Sequence, residues 1–270
     1  MYRDYYTRRM RFSQGGIFLR TYLAITPKAL SQLPAPPPLP LVHMAYAVGQ
    51  GGCLTRCAAA NLPHGGLMGL SDRCSGSIPR ADALCRAIAA ECVRRGFQGV
   101  LADFESPAHT DRLSFLTQLA RQLAAHGLIL FSPLILPAEG AALLIGTGIS
   151  GGSLRILLEE NINRYGAARL ALDLERVQMD FPLPCPTGCG TPLRHEELLA
   201  LQQKHHASIY YSRELAANYF TYPTERGTHF VLFDDAETLR RKVRLAESYG
   251  IREAFVMYPE ICDLLSPPET

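Results

Sequence analysis

The sequence predicts an α/β fold, a closed (β/α)8 TIM barrel, on three observations. Apolar segments of strand length alternate with amphipathic helical segments along nearly all of the 270 residues. Glycines follow the helical segments at Gly96, Gly127, Gly166 and Gly250, where a left-handed residue ends a helix. About eight strands in a chain of about 250 residues favour a closed barrel over an open sheet.

The elements of the first half follow from apolar periodicity and its interruptions. Residues 17–24 and 41–48 are predicted strands, and the proline-rich segment 34–40 between them can neither continue a helix nor donate to a ladder. The elements that follow are a strand at 66–71, a helix at 79–95, a strand at 99–105, a helix from Thr110 to the glycine at 127, strands at 128–136 and 141–145, and a helix at 151–165.

The second half continues the same alternation. Its predicted elements are a strand at 168–174, a proline-rich and cysteine-containing loop at 181–192, a helix at 193–206, strands at 208–211 and 228–233, a helix at 235–249 and a strand at 254–258. We expect an N-terminal arm over 1–16, a single barrel domain over 17–265 and a C-terminal tail over 266–270.

Composition restricts the classes of partner. A net charge of +2 gives no concentrated basic surface for phosphates, so nucleic acid is not an expected partner. No apolar run is long enough to span a bilayer, and no signal peptide is visible at the N-terminus. The sequence by itself therefore predicts a cytoplasmic protein.

Eight cysteines are present, and without a visible export signal we expect them to be reduced thiols. Two pairs are separated by three residues, Cys53 with Cys57 and Cys185 with Cys189. A four-thiolate zinc site could draw on both pairs, but neither has the usual spacing of a zinc knuckle. The histidines show no metal-ligand spacing either, so the sequence predicts no metal and no cofactor.

Two acids end the predicted strand at 99–105. Leu101, Asp103 and Glu105 share one face of this strand, and the acids stand at its C-terminal end. Active sites of parallel barrels are built at that end of the strands. The alternative is that Asp103 and Glu105 only mark the point where the strand emerges into water.

The ten residues GFQGVLADFE at 96–105 resemble the fourth-strand signature of glycoside hydrolase family 18, which opens Gly-Phe-Asp-Gly and ends Asp-x-Asp-x-Glu. The segments 219–222, 229–238 and 242–250 are similar to the closing segment of its bacterial branch of spore germination and cortex-lytic N-acetylglucosaminidases. Residues 45–54 resemble the second strand and turn of that branch.

The resemblance implies a retaining glycosidase that works by substrate assistance, in which the N-acetyl oxygen of the sugar is the nucleophile. By position in the motif, Glu105 is the acid that protonates the leaving oxygen. Asp103 orients the acetamido group and stabilises the positive charge of the oxazolinium intermediate. The implied partner is an N-acetylated polysaccharide or peptidoglycan, and the implied location is the mother-cell cytoplasm or the spore envelope.

The chain departs from the family pattern at several positions. Gln98 and Leu101 replace the first two motif acids, residues 145–148 lack the sixth-strand tyrosine, and the chain contains no tryptophan. Asp173 and Glu175 repeat the i, i+2 spacing on another strand and could supply missing polar groups. The predicted substrate-binding residues are Tyr46, Asp173, Glu175, Tyr219, Tyr222, Met257 and Tyr258.

The sequence is compatible with three functional hypotheses. The first is a hydrolase, and the second is a catalytically inactive barrel that binds a glycan or a protein during sporulation. The third is a barrel enzyme that uses the acids for a metal or for another substrate. The acid pair supports the first, the departures support the second, and the oligomeric state is not determined by the sequence.

Overall fold

The computed structural model describes residues 19–33, 35–57, 62–72, 77–105, 110–225 and 227–265. The predicted arm at 1–16 and the tail at 266–270 lie outside these residues, as do residues 17 and 18 of the first predicted strand.

The strands, numbered in chain order, are β1 (Arg20–Ile25), β2 (Leu41–Gly49), β3 (Cys53–Arg56), β4 (Leu67–Asp72), β5 (Gly99–Asp103), β6 (Ile129–Pro133), β7 (Ala142–Gly146), β8 (Leu170–Asp173), β9 (Gln178–Leu183), β10 (Thr191–Pro192), β11 (Tyr210–Ser212), β12 (Ala217–Thr224), β13 (Gly227–Phe233) and β14 (Glu253–Met257). The α-helices are α1 (Ala81–Arg95), α2 (Thr110–Ala124), α3 (Leu154–Tyr165), α4 (His195–Lys204), α5 (Ala236–Ser248) and α6 (Tyr258–Ile261). Short 3-10 turns lie at Leu30–Gln32 and Ala167–Arg169.

Eight parallel strands form a closed barrel, which confirms the predicted (β/α)8 fold. Their order around the barrel is β1, β2, β4, β5, β6, β7, β8 and β14, and β1 pairs with both β2 and β14. β3 pairs antiparallel with the end of β2. The barrel is irregular because the chain passes from β6 to β7 through a short turned segment without a helix.

Aromatic side chains fill the barrel interior. The ring of Tyr22 stacks on Phe255 with 5.1 Å between centroids, and Phe131 meets Phe255 edge-on at 4.8 Å. Leu101 and Ala171 belong to the same interior cluster. The interior is therefore a packed core, and a substrate can reach the barrel only at its ends.

Helix α1 shows how the outer layer follows from the sequence. Leu84, Ile88 and Cys92 recur at helical spacing and are buried against the barrel. Gly96 ends the helix in the left-handed conformation with φ of 66°, and its amide donates to the carbonyls of Cys92 and Val93.

The structure corrects the prediction for the second half. Between β8 and α5 the chain forms a separate antiparallel sheet with the order β10-β9-β13-β12-β11. The predicted loop at 181–192 therefore contains strand residues, and the strands predicted at 208–211 and 228–233 belong to this inserted sheet and not to the barrel. Strand β12 was not predicted, although its alternation of buried and exposed residues is typical of an antiparallel strand with one covered face.

Candidate active site

Two aspartates from different strands point into the C-terminal mouth of the barrel. Leu101 and Ala171 face the interior, and Asp103 and Asp173 follow them by two residues at the ends of β5 and β8. Because side chains alternate along a strand, both aspartates face the same way as these interior residues. The mouth thus receives one acid from the fourth barrel strand and one from the seventh.

Asp103 is partly buried in this mouth. Burial raises the pKa of its carboxyl above the ordinary value, and the negative charges of Glu105 and Asp72 raise it further. Glu105 itself is exposed and lies in the segment after β5, because the strand ends at Asp103 and not at 105 as predicted.

A buried ion pair supports the segment that carries Glu105. The Glu105 amide donates to Asp72 Oδ1 at 3.3 Å, and Arg112 Nε donates to Asp72 Oδ2 at 2.8 Å. The side chains of Arg112 and Asp72 are only 1% and 4% exposed. Sequence reasoning missed both residues, although β4 ends in an acid just as β5 does.

Asp173 has the most strongly shifted carboxyl of the mouth. Burial raises its pKa to about 7, and the negative charges of Glu175, Glu260 and Asp103 contribute in the same direction. A carboxyl with such a pKa is protonated in part of the molecules at neutral pH. Asp173 is therefore a source of an exchangeable proton beside Asp103.

The carboxylate of Glu175 covers two glycines at the end of β7. Its Oε2 accepts a hydrogen bond from the Gly148 amide at 2.8 Å. A Cβ on Gly146 would lie 3.0 Å from the same oxygen. Leu144 packs in the barrel interior, and side chains alternate along a strand, so Gly146 is the position that faces the mouth. The neighbouring Thr147 is fully buried. Glu175 thus fills space that a side chain on the sixth barrel strand would otherwise occupy.

Helix α6 contributes a further acid that the sequence analysis did not single out. Glu260 Oε2 accepts from the Arg176 amide at 3.1 Å, and Arg176 Nη1 donates to the Glu260 carbonyl at 2.8 Å and to Asp263 at 2.6 Å. Burial raises the pKa of Glu260, and Glu175 adds to this shift. These contacts hold α6 against the chain that leaves β8.

A buried ion pair lies behind the mouth. Lys242 Nζ donates to Asp234 Oδ2 at 2.7 Å and to the Thr147 carbonyl at 3.1 Å. The Thr147 amide in turn donates to the Asp173 carbonyl at 3.0 Å, and the Val177 amide donates to Asp234 Oδ2 at 3.0 Å. Through the Thr147 carbonyl and the Asp234 carboxylate, Lys242 thus connects the segment that follows β7 with the segment that follows Glu175.

A cleft of about 890 Å³ opens between the barrel mouth and the inserted sheet. Gly148, Glu175 and Glu260 line its barrel side, and Met179 and Phe181 line the side of the inserted sheet. Its described lining does not include Asp103 or Glu105. The cleft therefore approaches the mouth from the side of the seventh and eighth barrel strands.

Tyr46 lies outside the barrel, contrary to its prediction as a substrate contact. Its hydroxyl donates to Glu91 on α1 at 2.8 Å, and its ring meets Phe97 edge-on at 6.0 Å. The register of β2 shifts between Met44 and Tyr46, so the alternation that places Met44 inside turns Tyr46 outward. Burial raises the pKa of Tyr46 to about 12.

Four other predicted binding residues lie in the inserted sheet or where β14 meets α6. Tyr219 and Tyr222 lie on opposite faces of β12: Tyr222 donates to Asp180 at 2.7 Å, and Tyr219 packs on Phe230. The structure therefore places both outside the described lining of the cleft. Met257 packs against the barrel interior, whereas Tyr258 packs in a cluster outside it.

No group of three or more His, Cys, Asp or Glu side chains in the described residues could hold a metal ion. In particular, the two cysteine pairs belong to different sheets, β3 carrying Cys53 and the inserted sheet carrying the loop with Cys185. Every helix in the described residues is too short or too polar to cross a bilayer.

Several solved structures have a fold similar to that of this chain. The spore cortex-lytic enzyme SleL of Bacillus megaterium QM B1551 matches 88% of this chain over 70% of its own, with a TM-score of 0.63 and 18% identity. A chitinase of Chromobacterium violaceum matches 87% of this chain over 93% of its own, with a TM-score of 0.64 and 18% identity. A GH18 chitinase variant of Cycas revoluta in complex with (GlcNAc)4 matches 87% of this chain over 94% of its own, with a TM-score of 0.57 and 12% identity. No protein-family model and no curated protein matches the sequence.

These matches confirm the predicted fold resemblance: the chain has the barrel of family 18 chitinases and spore cortex-lytic enzymes in a form of low sequence identity. They also agree with the closed arrangement of eight parallel strands seen here.

Proposed function

We propose that the protein is a retaining glycoside hydrolase that acts on N-acetylglucosamine-containing glycans by substrate-assisted catalysis. The observation that carries this proposal is the position of Asp103, which faces the C-terminal mouth of the barrel with Glu105 two residues beyond it. The fold shared with chitinases and cortex-lytic enzymes supports the same chemistry.

The roles follow from what each carboxyl can do. The acetamido oxygen of the bound sugar attacks its own anomeric carbon, and Glu105 donates a proton to the departing glycosidic oxygen. Asp103 accepts a hydrogen bond from the acetamido N–H and stabilises the positive charge of the oxazolinium ion. Glu105 is exposed in the free protein, and a bound glycan would cover it during the reaction.

Asp173 supports this chemistry from the opposite side of the mouth. Leu101 lies beneath Asp103, where the family pattern has an acid, so Asp103 has no acidic partner on its own strand at that level. The neutral form of Asp173 can donate a hydrogen bond, and its pKa of about 7 keeps that form populated near neutrality. Asp173 thereby limits the negative charge that gathers around Asp103.

We propose peptidoglycan, spore cortex or a chitin-like glycan as the substrate. Glu175 lines the barrel side of the cleft, and the largely buried Phe181 lines the side of the inserted sheet, so the cleft contains a hydrogen-bond acceptor and an apolar surface for a sugar. The related structures include a cortex-lytic enzyme and chitinases, which favours this class of glycan. We place the protein in the mother-cell cytoplasm or the spore envelope, with one barrel domain over 17–265 that includes the inserted sheet.

The decisive experiment compares the wild type with Glu105→Gln on peptidoglycan and on a chromogenic N-acetylglucosaminide. We expect loss of product release from both substrates with unchanged thermal unfolding. Glu225→Gln is the matched control, because Glu225 is an exposed glutamate in the turn between β12 and β13. Equal release by all three proteins, or release from none of them above background, would remove the enzymatic proposal.

The alternative function is a catalytically inactive glycan-binding or protein-binding barrel. It is favoured by Leu101 in place of a motif acid and by the absence of tryptophan from the chain. Retention of the wild-type protein on insoluble peptidoglycan, without any soluble product, would support glycan binding alone.

A further inference from the structure

The two cysteine pairs with identical spacing have different backbone geometry. Cys53 begins β3 and Cys57 directly follows its last residue, so the chain between them is extended. Four extended steps separate their Cα atoms by about 13 Å. A disulfide needs Cα atoms about 4.4–6.8 Å apart, so this pair cannot be joined while β3 keeps its pairing with β2.

Cys185 and Cys189 instead belong to a folded turn between β9 and β10. The Gly188 amide donates to the Cys185 carbonyl at 3.1 Å, which closes a β-turn over 185–188. Gly188 has φ of 66°, a conformation that glycine adopts without strain. Cys185 Sγ lies 3.5 Å from the Cys189 carbonyl, and Cys189 Sγ lies 3.5 Å from the Thr187 carbonyl. Cys185 begins this β-turn and Cys189 directly follows it, so both thiols lie in one turn segment, 185–190.

The same turn forms one wall of the cleft. Gly188, Cys189 and Gly190 line it, and Cys189 is exposed. Gly190 lies so close to Phe181 that an added Cβ would be 2.8 Å from the ring. Gly190 thus covers the Phe181 ring, and a movement of the turn segment would change how much of this ring faces the cleft.

We propose that Cys185 and Cys189 form a reversible disulfide that fixes this wall of the cleft. The oxidant is a low-molecular-weight disulfide such as oxidised glutathione. One cysteine thiolate attacks it, forming a mixed disulfide and releasing one glutathione thiolate. The second cysteine thiolate then attacks the protein sulfur of the mixed disulfide, forming the internal bond and releasing the second glutathione. The two protons lost by the cysteines are taken up by the two released thiolates.

The location makes the bond reversible. Cys189 is exposed and Cys185 is partly exposed, so a disulfide that closes this short loop is open to attack by reducing thiols, in contrast to a buried structural bond. Its formation is independent of whether the barrel hydrolyses glycans, so its test does not require activity.

The test uses the full-length protein equilibrated in buffers with graded ratios of reduced to oxidised glutathione, followed by acid quenching and alkylation. Trypsin cleaves after Arg176 and Arg194, so both cysteines lie in one peptide, 177–194, in which an internal bond appears as the loss of two hydrogens. We expect this species to form and to disappear on return to reduced glutathione. Hydrogen exchange of residues 185–192 is expected to slow in the oxidised protein.

Matched variants separate this result from general thiol oxidation. The double variant Cys53→Ser/Cys57→Ser should form the internal bond to the same extent as the wild type, whereas Cys189→Ser should leave Cys185 as a mixed disulfide with glutathione. The proposal is overturned if both cysteines are alkylated separately at every ratio, if Cys189 is found bonded to Cys262, or if the bond forms only in urea.

Discussion

The carboxylate of Glu175 and the backbone of Gly148 are in direct contact, because Glu175 Oε2 accepts the Gly148 amide at 2.8 Å. A Cβ on Gly148 would come within 2.5 Å of the same oxygen, which is closer than any side-chain carbon is found. The glycine thus determines where this carboxylate lies, and through it the negative charge next to Asp173.

The first prediction concerns this contact. Gly148→Ala should displace Glu175 and lower kcat/KM on an N-acetylglucosaminide by about tenfold or more, since small displacements in an active site are costly. Gly151→Ala is the control, because nothing lies within 4 Å of a Cβ at Gly151. Steady-state kinetics of both variants measures the effect, and thermal unfolding shows whether both remain folded. Equal kcat/KM values of the two variants would contradict the prediction.

The second prediction concerns pH-dependent stability. The pKa of Asp173 rises from 3.8 to about 7 on folding, so the folded state binds the extra proton between these values. Stability from this group is therefore present at low pH and falls as pH rises through about 7, because the folded protein must then hold a buried charge that also lies near Glu175, Glu260 and Asp103.

Asp173→Asn removes that charge. We expect it to stabilise the protein at pH 8 by on the order of 2 kcal/mol and to have little effect at pH 4. Urea unfolding at both pH values measures the difference, with the exposed Asp111→Asn as the control. A constant effect of Asp173→Asn across this range would show that Asp173 does not titrate as described.

The third prediction concerns the acid on β5. Asp103→Asn should reduce kcat by about 10²-fold to 10⁴-fold, since it removes a charge that stabilises a cationic intermediate. It should also lower the pKa of Asp173, because one of the negative charges that raise it is lost. Kinetics reports the first effect and carboxyl NMR titration reports the second. If Asp103→Asn lost activity but left the pKa of Asp173 unchanged, the predicted electrostatic coupling between Asp103 and Asp173 would be wrong.

The fourth prediction concerns the buried ion pair. Lys242→Met leaves Asp234 without its cation in the interior and should destabilise the protein by about 3–5 kcal/mol. The double variant Lys242→Met/Asp234→Asn should recover part of this loss, because no unpaired charge remains. Urea unfolding of both variants is the measurement, and equal destabilisation would argue against the ion pair as the cause.

Local patterns were sufficient to predict the barrel. Helical periodicity ended by glycine, as at Ile88, Cys92 and Gly96, depends only on residues close in sequence. The acids at the end of β5 were found in the same way, because strand alternation and the end of an apolar run are both visible in the sequence.

Contacts between distant residues could not be predicted in this way. Lys242 looks like a surface residue of α5, but it is buried, and besides Asp234 its partner is the carbonyl of Thr147, 95 residues earlier. Arg112 and Asp72 meet across 40 residues. Tyr46 was misplaced because a register shift in β2 changes which face a residue occupies without leaving a sequence signal.

The inserted sheet leaves and rejoins the barrel at a single point. The Asp234 amide donates to the Val177 carbonyl at 2.7 Å, and the Val177 amide donates to the Asp234 carboxylate at 3.0 Å. Since the two ends already touch, a short linker could join them at small entropic cost. Residues 178–233 are thus an insertion through which evolution or an engineer could reshape the cleft, provided that the contacts of the insertion with the barrel layer, such as the Leu154 amide donating to the Glu214 carbonyl at 2.8 Å, are replaced.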